Sequence, residues 1–122
     1  DYAARMSNDF LDIDVQFLHY KNQLTKEQQL LVYRIVQELV NNSIKHADPK
    51  QIIIQIVEEA DSYCITVEDD GLGFDIKQIK GNQSAGLYNI QSRIDFLKGR
   101  FSIQSEINLG TSVEVLFPKN KN

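Results

Sequence analysis

Glu38, Asn41, Asn42, Lys45 and His46 lie together in one helical run, and Asp69, Gly71 and Gly73 close an alternating hydrophobic strand. At about 100° per residue, Glu38, Asn42, Lys45 and His46 share the side of the helix opposite Val32, Val36, Leu39, Val40 and Ala47. A solvated polar face would account for the charges. It accounts less well for Asn41-Asn42, because asparagine costs roughly several tenths of a kcal/mol in a helix interior that Lys or Glu would avoid. An amide oxygen is a hard ligand, and magnesium is held by few protein oxygens together with waters and substrate phosphates. Asn42 could supply such an oxygen, and Glu38, one turn earlier, could accept a proton or order a metal-bound water. Lys45 would neutralise phosphate. His46 is either a further phosphate donor or simply a residue of the last helical turn.

Asp69 continues the phase of Tyr63, Ile65 and Val67, which turns its carboxylate inward, where it needs a donor. The exocyclic amine of adenine is one. Guanine would present a carbonyl oxygen instead and leave two acceptors facing each other, at a cost of roughly 1 to 3 kcal/mol. Gly71 and Gly73 let the backbone approach a planar base, although Asp-Gly is also a common turn after a strand. Thr111 shares the phase of Val113, Val115 and Phe117 and brings a hydroxyl to the same side. Gly86 is placed at the start of a helix, where free N–H groups attract phosphate. The stretch from about 75 to 85 reads as a loop and a mobile lid. Asn89 and Arg93, further along that helix, are candidates for polar contacts or plain surface residues.

These groups need a sheet and two helices to hold them. Leu11, Ile13, Val15 and Phe17 alternate with polar residues in a first strand, after a segment 1–9 that fits the end of an upstream helix. Thr25 with Gln28 three positions on forms a capping-box signature for a helix to about His46, stopped at Asp48-Pro49. A second strand starts at Gln51, apolar on both faces as in a sheet interior, and a third carries Asp69. Leu87, Ile90, Ile94 and Leu97 define the inner face of the second helix, with Gly99 at its C-cap. Phe101, Ile103 and Ile107 form a fourth strand, Asn108 to Gly110 a turn, and Thr111 to Phe117 a fifth, before a disordered tail 119–122. The expected fold is an α/β two-layer sandwich: a mixed sheet of about five strands with helices on one face.

With 122 residues and 42% hydrophobic content, the chain fits one domain able to bury roughly two-thirds of its unfolded surface. A net charge of -4 argues against a nucleic-acid module. The single cysteine, Cys64, permits no internal disulfide and reads as a packed strand residue. No apolar run approaches the ~18 residues that span a bilayer, and the expected location is cytoplasmic, without direct membrane contact by this domain. P-loop and Rossmann glycine patterns are missing, as is any zinc pattern.

Glu38-x-x-x-Asn42-x-x-Lys45-His46 resembles the N box, Asp69-x-Gly71-x-Gly73-Phe74 the first glycine box, and Gly86-Leu87-x-Asn89-Ile90 part of the second, of the GHKL ATPase superfamily. That superfamily holds gyrase, the large heat-shock chaperone ATPases, histidine kinases and the MutL repair proteins. The runs Tyr33 to Glu38 and Asn89 to Ile94 are most similar to catalytic domains of two-component sensor kinases related to nitrate and lipid-fluidity sensors. The resemblance implies the Bergerat fold, with Mg-ATP between the long helix and the lid and γ-phosphate transfer to a histidine on a separate dimerisation domain. A response regulator is a further expectation of that class, and the sequence leaves open whether the parent protein is anchored in the inner membrane. Its implied assignments are Asn42 on magnesium, Asp69 on the adenine amine and Lys45 on phosphate, with Glu38 where hydrolysing relatives keep their base. Cofactor contacts extend to His46, Gly71, Gly73, Gly86, Leu87 and Thr111. Ser84 stands where the family often has the first glycine of the lid. Neither His19 nor His46 is a suitable phosphoacceptor, which is expected upstream of Asp1. Other readings are an anti-sigma-factor-type serine kinase, or a degenerate interaction module.

Overall fold

A computed structural model describes residues 11–73 and 82–119, the side chains of 82–88 excepted. The described elements are β1 (Asp12–Leu18), α1 (Lys26–His46), β2 (Gln51–Glu58), β3 (Ser62–Asp69), α2 (Asn82–Phe96), β4 (Arg100–Glu106) and β5 (Gly110–Pro118). The strands form one sheet in the order β1-β2-β3-β5-β4. β1 and β2 are parallel, joined through α1, and the remaining pairs are antiparallel. The expected mixed α/β sheet of five strands is observed, and β2 occupies the interior position that its apolar faces suggested.

α1 begins as a capping box: the Thr25 hydroxyl accepts from the Gln28 N–H at 3.0 Å, and Gln28 Oε1 accepts from the Thr25 N–H at 3.0 Å. The helix then lays Val32, Ile35, Leu39 and Val40 on the sheet, where they meet Ile52, Ile54, Ile65, Val67, Val113 and Val115. Ile90, Ile94 and Leu97 of α2 and its C-terminal turn fill the same core. Full burial of such side chains contributes roughly 1.5 to 3 kcal/mol each, which makes this shared core what holds α1 against the sheet end bearing Asp69.

At the far end of the sheet, Tyr63 stacks on Phe117 with centroids 5.4 Å apart. Its hydroxyl accepts from the Gln23 N–H at 2.9 Å. Burial, offset in part by that N–H and reinforced by Glu58, pushes the phenol up to about 12. Glu58 accepts from the N–H groups of Lys21 and Asn22 and pairs with Lys119 Nζ at 3.1 Å. Burial opposes its charge, but the Lys21 N–H and the Lys119 ammonium outweigh that, leaving the carboxyl below its usual range. Lys119 is therefore anchored, its N–H also bonding Asp61 O, whereas the tail was expected to be disordered from this residue. Residues 120–122 and segment 1–9 lie outside the described residues.

Two other expectations change. Ile107 is not in the fourth strand: β4 stops at Glu106, and Ile107 is exposed in the turn. Gly99 is not the left-handed residue that ends α2, since Lys98 takes that conformation (φ 60°). Glycine is required at 99 because a Cβ there would come within 2.5 Å of Leu116 O.

Candidate nucleotide site

The site lies where the C-terminal half of α1 crosses the ends of β3 and β5. Leu39, Asn42, Ser43, His46, Ala47, Val67, Asp69, Thr111 and Val113 line a cleft of ≈ 50 Å³ there. Asn42, His46, Asp69 and Thr111, separated in sequence, are brought together. Asn42 is half-buried, while Lys45 and His46 are exposed in the last turn of α1.

Asp69 is at the floor. Its Oδ2 accepts from the Ser43 hydroxyl at 2.8 Å and its Oδ1 from the Gly71 N–H at 2.9 Å. The inward phase read from the alternation is correct, and the donors the carboxylate needs are in part protein groups. Each oxygen retains a second acceptor direction. Thr111 pairs with Asp69 across the β3–β5 ladder, and its hydroxyl is 2.8 Å from that of Ser105. Asp69 and Thr111 also border a wider groove of ≈ 590 Å³ along β4 and β5, but no α1 residue reaches it.

Ser43 was not singled out from the sequence, although a signal exists. It is four residues after Leu39 on the buried stripe, and a hydroxyl on an apolar stripe calls for a partner. It is buried, and Asp69 is that partner.

The glycines are crowded by protein backbone. A Cβ on Gly71 would come within 2.3 Å of Ala47 O, and one on Gly73 (φ +65°) within 2.0 Å of Glu106 O. The Leu72 N–H donates to Ala47 O at 2.7 Å, tying the end of α1 to the turn after β3. Asp70 continues that clasp by accepting from the N–H groups of Lys50 and Gln51. The Gln51 N–H chiefly holds the Asp70 carboxyl below its usual range.

Glu38 stands apart. Its carboxylate pairs with the Arg93 guanidinium of α2, and it lines a separate cleft of ≈ 430 Å³ with Leu30, Tyr33, Arg34, Gln37, Asn41 and Arg93. Arg93, left open between polar contact and surface residue, thus makes a contact between the helices. Gly86 lies inside α2 rather than at its start, because the helix begins at Asn82. Most of the expected lid, with Phe74 and the side chain of Leu87, falls outside the described residues. Cys64 is half-buried, and burial pushes its thiol up, as suits a packed residue rather than a reactive one.

The cleft thus joins an amide-bearing helix to a strand-end carboxylate on a mixed α/β sheet. The chain belongs to the family described as histidine kinase-, DNA gyrase B-, and HSP90-like ATPase, whose model matches residues 27–121. It is 33% identical over 97 residues to the signal transduction histidine-protein kinase/phosphatase DegS of Bacillus subtilis, covering 78% of this chain and 25% of that protein. Similarity to the sensor protein VraS of Staphylococcus epidermidis is 31% over 90 residues, covering 74% of this chain and 26% of that one. The chain thus spans about a quarter of the length of these relatives. The fold also matches the blue-light activated histidine kinase of Erythrobacter litoralis EL346, with a TM-score of 0.73 at 21% identity, over 91% of this chain and 36% of that one.

Proposed function

We propose that the 122 residues act as one domain that binds Mg-ATP in the α1 cleft and serves as the catalytic part of a sensor histidine kinase. The γ-phosphate passes to a histidine on a dimerisation domain and from there to a response regulator. The observation that carries this reading is the Asp69 carboxylate, fixed by Ser43 and Gly71, sharing its cleft with Asn42 and Thr111.

In this reading Asp69 accepts the adenine amine, Thr111 contributes a hydroxyl beside it, and Gly71 and Gly73 keep the turn close to the base. Asn42 suits magnesium because it offers an amide oxygen at the cleft wall, and such an ion needs few protein ligands when phosphates complete its shell. Bound there, magnesium neutralises phosphate charge. Lys45 and His46 extend from the last turn of α1 toward the phosphates, and the family resemblance assigns Gly86 and Leu87 to nucleotide contact as well. No helix among the described residues is long and apolar enough to cross a membrane, and the domain works on the cytoplasmic side.

The test is calorimetric titration with ATP and GTP, with and without magnesium, followed by incubation with a separate histidine-bearing dimerisation domain. Magnesium-dependent, adenine-selective binding and acid-labile phosphohistidine are expected. Acid-stable phosphoserine on an anti-sigma-factor-type substrate, or no ATP binding, would refute the reading.

A further inference from the structure

Glu38 and Asn42 are four residues apart on α1, which places them about 6 Å apart along the axis and on nearly the same face. Yet their side chains line different clefts: Asn42 the one with Asp69 and Thr111, Glu38 the one between the helices. Arg93 reaches from α2 to the Glu38 carboxylate across 55 positions of sequence. Both side chains are partly buried, 30% exposed for Arg93 and 23% for Glu38. Solvent and salt therefore screen the pair less than they would a rim contact.

We infer that Arg93 is a positioning residue that holds Glu38 away from the nucleotide cleft, so that bound ATP keeps its γ-phosphate for an acceptor instead of yielding it to water. The inference rests on the nucleotide-binding reading above. Hydrolysis would form a bond from a water oxygen to the γ-phosphorus and break that phosphorus's bond to the β–γ bridging oxygen. ADP would leave, and a carboxylate would take the proton of the attacking water. Glu38 is the carboxylate on α1 within one turn of Asn42, and a freed side chain there can face water beside the phosphates. Paired with Arg93, it faces α2. His46 is the other proton acceptor in the last turns of α1, and the experiment separates it from Glu38.

The experiment measures inorganic phosphate release from Mg-ATP by the full chain, alongside ADP affinity by calorimetry. Arg93→Ala should raise phosphate release about tenfold or more, since a placed general base contributes ~100-fold or more, with ADP affinity unchanged. Arg93→Lys, which keeps a cation, should restore most of the low rate. The double variant Arg93→Ala/Glu38→Gln should lose the gain. Arg93→Met keeps the packing of the side-chain stem and replaces the alanine variant if circular dichroism shows that one unfolded. Unchanged or lower phosphate release in a folded, ADP-binding Arg93 variant would overturn the inference, as would a gain that survives Glu38→Gln. Absence of Mg-ATP binding by the unaltered chain would overturn the proposed function and this inference with it.

Discussion

Replacing Asp69 with asparagine changes one atom in the cleft and reverses a hydrogen-bonding direction. In the native site both carboxylate oxygens accept, one from Ser43 at 2.8 Å and one from the Gly71 N–H at 2.9 Å. The Gly71 N–H is fixed by backbone and can only donate, so the amide oxygen of the substituted side chain must turn toward it. The NH2 then points to Ser43, whose hydroxyl can rotate to accept. Folding is therefore affected little. A bound adenine, by contrast, loses a charged acceptor for its exocyclic amine and meets a donor. Hydrogen bonds to charged groups contribute roughly 1.5 to 3 kcal/mol, which at about 1.4 kcal/mol per decade is a ~10- to 150-fold loss of affinity. Calorimetry with Mg-ADP and Mg-IDP tests this. The unaltered chain should prefer the adenine nucleotide, and Asp69→Asn should lose most of that preference, while Glu38→Gln should bind nearly as well as the unaltered chain. Equal ADP affinities for the unaltered chain and Asp69→Asn would refute the assignment of Asp69 to adenine.

Asn42→Ala should abolish the magnesium-dependent increment of ATP affinity and leave metal-free binding nearly intact; an equal loss in EDTA would count against Asn42 as ligand. Gly73→Ala should destabilise the fold by more than about 1 kcal/mol, because φ +65° disfavours L residues and the new Cβ would meet Glu106 O; urea midpoints report it. Because the folded Glu58 carboxyl titrates below its usual range, its contribution is present above the unfolded pKa and is lost as pH falls through the folded one. Glu58→Gln should thus lower stability at neutral pH and flatten its decline in acid, measured by denaturation from pH 7 to 3.

Local patterns that depend on one element were legible from residues alone. Thr25 and Gln28 announce the start of α1, and the alternation of Tyr63, Ile65 and Val67 carries Asp69 inward with no knowledge of the partner strand. What depends on tertiary approach was not. The Arg93–Glu38 contact joins two helices whose relative position no local pattern contains. Gly99 looked like a helix cap because glycine often is one, but the constraint on it comes from Leu116 of a distant strand. Ile107 has a strand-forming side chain, yet the hairpin needs a residue there and leaves it in solvent. Gly86 misled in the same way, since a glycine inside a helix carries no local mark that separates it from one at the start.

Gly71 against Ala47, Gly73 against Glu106 and Gly110 against Asp69 bring the end of α1, the end of β3 and the β4–β5 hairpin to one corner, main chain on main chain. The position of the Asp69 main chain is consequently set by peptide groups that every sequence possesses, and by the lack of side chains at three positions. A pocket located in this manner tolerates drift in the side chains around it. Divergence can remodel the clefts on α1 while the Asp69 strand end stays in register, whereas a single methyl at the corner displaces it.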